Sequence, residues 1–102
     1  AYECDAGRSA YSSSKSALIA FTKVLSKELG SFNIRVNAIA PGLTKTDMIN
    51  DKISKKLIDD TINRIPLKRA ANPEEISNVI LFLASDLSSY ITGEIINVTG
   101  GY

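Results

Sequence analysis

Tyr11 and Lys15 are the side chains of this sequence whose types and spacing could do acid–base chemistry. They stand four residues apart at the start of an apolar-periodic run, so on a helix they share one face, one turn apart. A phenol ionises near pH ~10. An ammonium group a few ångströms away favours the phenolate and draws that value down. A tyrosine tuned in this way exchanges a proton with an alcohol or a carbonyl oxygen near neutral pH, as a general acid/base must. For an isolated Tyr-x-x-x-Lys the plainer alternative is a helix-start tyrosine packed on the core beside a solvated lysine. The residues downstream of Lys15 favour the chemical reading.

Other catalytic residue types are scarce. The 102 residues hold one cysteine and no histidine. Zinc-type sites are therefore not expected, and a His-dependent hydrolase triad is excluded. Tyr, Lys, Ser and Thr must carry any chemistry, with no metal. The lone Cys4 rules out an internal disulfide framework, fits a reducing compartment such as the cytoplasm, and takes no role of its own. With 44% hydrophobic and 23% charged residues the composition is that of a soluble globular domain. Twelve basic residues are spread along the chain and nearly balanced by eleven acidic ones, a net charge of +1. That gives no electrostatic case for nucleic acid. No apolar run approaches a membrane span, and the first residues show no signal-peptide pattern.

The elements that must position Tyr11 and Lys15 can be read in order. Residues 1–10, with Gly7, predict a loop. A helix is predicted over about 11–29, with Leu18, Phe21, Leu25 and Leu29 on one stripe and Ala17, Ile19 and Val24 on a second side. A helix apolar on two sides should be buried on two sides, between a sheet and another helix or subunit. Small residues near its start (Ser12, Ser13, Ser14, Ser16, Ala17) admit close approach, and Gly30 suits a left-handed C-terminal position. Residues 34–40 predict a buried strand of a parallel sheet, ended by Pro41-Gly42. Leu43 to Asn50 is then a loop at the strand's carboxyl end, where open α/β sheets bind ligands. Thr44, Thr46 and Asp47 offer groups to a ligand there, while Thr46 or Asp47 could simply cap the next helix, and both readings can hold for one loop. From about 51 to 65, Ile53, Leu57, Ile58, Ile62 and Ile65 recur at helical spacing in one amphipathic helix or two short ones, ended by Pro66. This stretch is a lid over a substrate or a spacer. Asn72-Pro73-Glu74-Glu75 is a strong start for a helix over about 73–85. A second strand is predicted over about 94–98. The order gives one right-handed crossover unit. Two parallel strands do not make a stable sheet with both faces covered. The chain is therefore read as the C-terminal half of a doubly wound α/β domain, with further strands supplied upstream or by another chain.

Tyr11-Ser12-Ser13-Ser14-Lys15 resembles the Tyr-x-x-x-Lys signature of the short-chain dehydrogenase/reductase family, with Gly7 placed as in many members. The run from Asn37 through Pro41-Gly42-Leu43-Thr44-Lys45-Thr46 to Met48 is similar to the family's Pro-Gly segment. Leu83-Ala84-Ser85-Asp86, Tyr90-Ile91-Thr92-Gly93 and Gly100-Gly101 resemble its C-terminal end. Three ordered motifs span almost the whole chain, and the nearest likeness is to the classical subgroup that contains 3-oxoacyl-[acyl-carrier-protein] reductases.

The resemblance implies a Rossmann-type parallel-sheet domain and an oxidoreductase that transfers hydride between NADP or NAD and a carbonyl or alcohol. Tyr11 and Lys15 would be the catalytic residues. Tyr11 would give or take the proton on the substrate oxygen, and Lys15 would bind the nicotinamide ribose and lower the tyrosine pKa. Pro41, Gly42, Thr44 and Thr46 would lie against the cofactor, the Thr44 backbone on the carboxamide and the Thr46 hydroxyl on phosphate. Residues of about 47–66 would form the substrate lobe, for a small-molecule or acyl-carrier-protein-linked carbonyl. A homodimer or homotetramer is implied, with no nucleic-acid or membrane partner. The family's Gly-rich loop, its catalytic serine and asparagine, and the residues that choose NAD or NADP would all precede this stretch. By that reading the chain alone neither binds cofactor tightly nor turns over. The alternative is a non-catalytic half-domain that serves as an assembly or interaction piece.

Overall fold

The computed structural model describes residues 9–49 and 53–102, with side chains described from Ser13 onward. Cys4 and Gly7 lie outside the described residues. The contacts divide the chain into two units, residues 1–38 with 88–96 and residues 39–87 with 97–102.

In the first unit, α1 spans Ser9–Leu29. Ser9 and Ala10, expected in the leading loop, are already helical, and neither residue breaks a helix. Among the described side chains of α1, Thr22 and Ser26, one turn apart, are buried, while Leu18, Phe21 and Val24 are 41%, 61% and 53% exposed. The expected apolar sides are thus left largely open within this chain, where a further helix or subunit is expected to cover them. Both buried hydroxyls are satisfied on their own helix, Thr22 Oγ1 donating to the Leu18 carbonyl and Ser26 Oγ to the Lys23 carbonyl, each at 2.7 Å. The small Ser26 lets Gly93 come in close. A Cβ on Gly93 would stand 2.7 Å from Ser26 Oγ, and its φ of +76° is one that L side chains rarely adopt. Lys23 Nζ donates to the Gly93 carbonyl at 3.2 Å.

The end of α1 also differs from expectation. The helix tightens into a 3-10 turn over Gly30–Phe32, and Asn33, at φ 59°, takes the left-handed position assigned to Gly30. Asparagine tolerates that conformation, and its N–H bonds back to the Gly30 carbonyl at 3.0 Å.

Strand β1 runs over Ala38–Pro41, four residues and not the expected 34–40. Before Ala38, side chains share the pairing with one backbone bond. Asn37 donates its amide N–H to the Ile91 carbonyl at 3.0 Å, and its Oδ1 accepts from the Glu94 N–H at 3.1 Å. The Val36 N–H goes to the Thr92 hydroxyl at 3.0 Å, and the Gly93 N–H to the Val36 carbonyl at 2.7 Å. Arg35 Nη1 reaches the buried Ser88 hydroxyl at 3.0 Å. The ladder begins where the Ala38 N–H meets the Glu94 carbonyl at 2.9 Å. β2 spans Ile95–Val98 and is the partner of β1 in a two-stranded parallel sheet.

In the second unit, the Gly42 N–H meets the Val98 carbonyl at 2.9 Å. The bonds to β2 thus leave even-numbered positions, so Pro41 can end β1 with its missing N–H on the other side. The loop after β1 holds a 3-10 turn, Asp47–Ile49, and the amphipathic stretch forms a helix α2, Lys55–Arg64. Residues 50–52 lie outside the described residues. Ser54 caps α2, its hydroxyl accepting from the Leu57 N–H at 3.1 Å. Pro66 stops it by holding Ile65 extended, at φ −78° and ψ 122°. Helix α3, Pro73–Ala84, starts on Asn72 with a capping box closed by Glu75. Among the described residues of this unit, Ala40, Ile58, Ile65 and Ala70 are the buried apolar ones. Among the described residues, no helix is long and apolar enough to cross a membrane.

Replacing Gly93 with alanine should destabilise the protein by about 1–3 kcal/mol, through a left-handed alanine and the overlap with Ser26. Urea unfolding checks this. Adding Ser26→Ala should recover part of the loss, whereas a Gly93→Ala protein with the wild-type midpoint would contradict the packing described.

Candidate functional site

The unbroken backbone of α1 from Ser9 to Leu29 sets positions 11 and 15 one turn apart on a single helix. The Tyr11 side chain lies outside the described residues, and Lys15 is half-buried. The neighbouring Ser13, Ser14, Ser16 and Ala17 are exposed.

Pro41, Gly42, Thr44 and Thr46 follow one another in the second unit, from the last residue of β1 into its carboxyl-end loop. A Cβ on Gly42 would stand 3.0 Å from Thr99 Cα, so glycine lets this loop leave the sheet beside the end of β2. Leu43 and Lys45 then pair with Ala71, which donates its N–H to the Leu43 carbonyl and accepts from the Lys45 N–H, both at 2.9 Å. Thr44 and Ala71 thereby form an isolated parallel bridge. Nothing in the sequence signals that bridge, since Ala71 contributes only backbone.

Asp47 closes the loop on itself. Its Oδ2 accepts from the Thr44 N–H at 2.9 Å and from the Thr44 hydroxyl at 3.1 Å, while its own N–H returns to the Thr44 carbonyl at 3.0 Å. Of the two readings of this loop, the structural one is therefore present: Asp47, the first residue of the 3-10 turn Asp47–Ile49, holds the Thr44 N–H and hydroxyl on its carboxylate. The Thr44 amide that the family likeness assigns to a ligand has an internal partner. Thr46 is exposed at the same edge.

Next to Ala71 stands a second polar cluster. Arg69 forks onto Glu75, Nη1 to Oε1 at 2.6 Å and Nη2 to Oε2 at 2.8 Å. Glu75 Oε1 also accepts from the Asn72 N–H at 2.9 Å and from its side-chain amide at 3.4 Å. The hydrogen bonds from Arg69, then that from the Asn72 N–H, lower the Glu75 carboxyl to about 2. The sequence marked Glu75 only as a first-turn acid, because Arg69 lies six residues away across a non-helical turn.

Residues 3–102 match the family model described as Enoyl-(Acyl carrier protein) reductase. The chain belongs to the short-chain dehydrogenase/reductase family. It is 50% identical over 95 residues to the 3-oxoacyl-[acyl-carrier-protein] reductase of Thermotoga maritima, covering 93% of this chain and 38% of that protein. It is 52% identical over 90 residues to the 3alpha-hydroxysteroid dehydrogenase of Mediterraneibacter gnavus, covering 88% of this chain and 36% of that one. The crystal structure of the 3-oxoacyl-[acyl-carrier protein] reductase from Brucella melitensis superposes with a TM-score of 0.82 at 41% identity, over 89% of this chain and 34% of that one. The chain thus spans well under half the length of the relatives it matches, and their names differ in substrate.

Glu75 gives a pH signature. Its folded pKa lies below the value of 4.5 it has without these partners, so the clamp's stabilisation is full above about 4.5 and is lost as pH falls towards about 2. Urea midpoints measured down that window should drop less steeply in Glu75→Gln than in the wild type. Parallel acid limbs would show that the carboxylate is not held as described.

Proposed function

We propose that the protein containing this chain is a nicotinamide-dependent oxidoreductase that transfers hydride between NADPH or NADH and a carbonyl or alcohol substrate. The observation that carries this reading is the Tyr11/Lys15 pair, one turn apart on an unbroken α1, in a chain half identical to a named reductase. The 102 residues would form the C-terminal part of one Rossmann-type domain. Residues that hold the adenosine end would be supplied elsewhere in the protein, consistent with the chain covering 38% of the Thermotoga relative.

In this reading Tyr11 is the general acid in reduction and the general base in oxidation, holding its proton against the substrate oxygen. Lys15 anchors the ribose hydroxyls and keeps the phenol easily ionised. The loop of Pro41, Gly42, Thr44 and Thr46 fits a flat, polar ligand: Gly42 keeps the backbone close to the sheet end, and the loop presents amides and hydroxyls at the carboxyl edge. The Thr44 amide would exchange its bond to Asp47 for one to the carboxamide, and the Thr46 hydroxyl would hold a phosphate oxygen. When bound, the nicotinamide supplies or accepts the hydride, while the protein aligns the reacting groups.

Residues of about 47–66 would form the substrate lobe. A 3-oxoacyl thioester on acyl carrier protein, as in fatty acid biosynthesis, is the substrate class favoured by the Thermotoga and Brucella likenesses. The hydroxysteroid dehydrogenase likeness supports a small-molecule alcohol as the second choice. A cytoplasmic homodimer or homotetramer completes the reading, with the exposed Leu18, Phe21 and Val24 of α1 as surface for assembly.

In the intact protein, Tyr11→Phe should lower turnover by about 10²-fold or more while cofactor affinity stays near wild type. Steady-state kinetics with a fluorescence titration of NADPH and NADH tests this, and near-normal turnover would remove Tyr11 from the acid/base role.

A further inference from the structure

Past Gly42, the loop after β1 makes its backbone hydrogen bonds outside itself to Ala71, among the described residues. The Thr44–Asp47 bonds shape the loop but do not locate it, because both partners belong to it. What locates the loop is whatever locates Ala71.

Ala71 lies between helices in a stretch with little regular structure of its own. Upstream, the Leu67 N–H is tied to the Gly100 carbonyl at 3.1 Å, and Lys68 turns the chain at φ 58°. Ala70 is buried, which fixes the depth of the segment but not its position along the neighbouring loop. The Glu75 carboxylate supplies the missing constraint. It takes the Arg69 guanidinium on one side of Ala71 and the Asn72 N–H on the other, and is itself rooted in the first turn of α3. Two bonds in parallel from a planar guanidinium fix direction as well as distance, which a single contact cannot do. Ala71 is therefore bracketed on both sides along the chain, and its N–H and C=O present a fixed template to Leu43 and Lys45.

We propose that Arg69 and Glu75 are positioning residues for the loop of Leu43–Lys45, acting through the backbone of Ala71. This rests on the function proposed above only for what the loop binds. Arg69 and Glu75 touch neither cofactor nor substrate. They hold the template that presets the loop, so that less ordering remains to be done when a ligand arrives.

The test uses the intact protein with Glu75→Gln, which keeps an acceptor for the Asn72 N–H but removes the ion pair. Arg69→Ala, Arg69→Lys and the Arg69→Ala/Glu75→Gln double variant complete the set. In the unliganded protein, amide hydrogen exchange at Lys45 and Ala71 should speed up in Glu75→Gln and Arg69→Ala. The Ala38 and Leu57 amides should stay at wild-type rates. Dissociation constants for NADPH and NADH should rise about two- to five-fold, with turnover at saturating cofactor little changed. Arg69→Lys should fall between, and the double variant should cost no more than either single change. Uniformly faster exchange would reveal ordinary destabilisation, and unchanged exchange at Lys45 and Ala71 would show no coupling. Either result overturns the proposal. If the wild type bound neither nucleotide while Lys45 and Ala71 still responded, the enzyme reading would fall and the positioning role would stand.

Discussion

Because β1 and β2 run in the same direction, no hairpin can join them, and all that lies between must make a crossover. That constraint decides what the chain can do. It brings the ends of both strands to one edge, where Gly42 leaves β1 beside Thr99 with no room for a side chain. The loop from Pro41 to Asp47 starts from this edge, the place where open parallel sheets offer their ligand sites.

A sheet of two short strands provides few backbone bonds, and side chains extend its pairing. Before β1, Asn37 imitates a ladder rung by donating to Ile91 and accepting from Glu94. After it, Asp47 folds the loop back on Thr44, and Ala71 pairs with what remains. Polar side chains and a second backbone segment take over the pairing of backbone groups where the regular ladder stops. The polar residues here are structural first, including Thr44, whose amide would have to change partners to meet a ligand.

What could be read from the sequence was what depends on near neighbours. Asn72-Pro73-Glu74-Glu75 signals its helix start because cap, proline and acid act within one turn, and Pro66 ends α2 through the residue beside it. The parallel order of strands and helices also came from local periodicity. Features set by distant partners could not be read. β1 begins at Ala38 because Asn37 bonds residues 54 and 57 positions away. The left-handed cap moved from Gly30 to Asn33 because α1 tightened first, a choice that glycine preference alone does not reveal. α1 buries Ser26 where Gly93 approaches it, a contact that its apolar stripes do not signal. In the candidate site, Pro41-Gly42 and the Thr44–Asp47 loop were visible as residue types. Ala71 and Arg69 were not, since one acts through backbone and the other across an irregular turn.

In the function proposed, the strand-end loop would receive the nicotinamide dinucleotide and α1 would carry the proton. Amide exchange in the intact protein, with and without saturating NADPH or NADH, tests the first assignment directly. Cofactor binding should protect the amides of Gly42, Leu43, Thr44 and Thr46. Saturable cofactor binding that leaves those four amides unchanged would contradict the assignment.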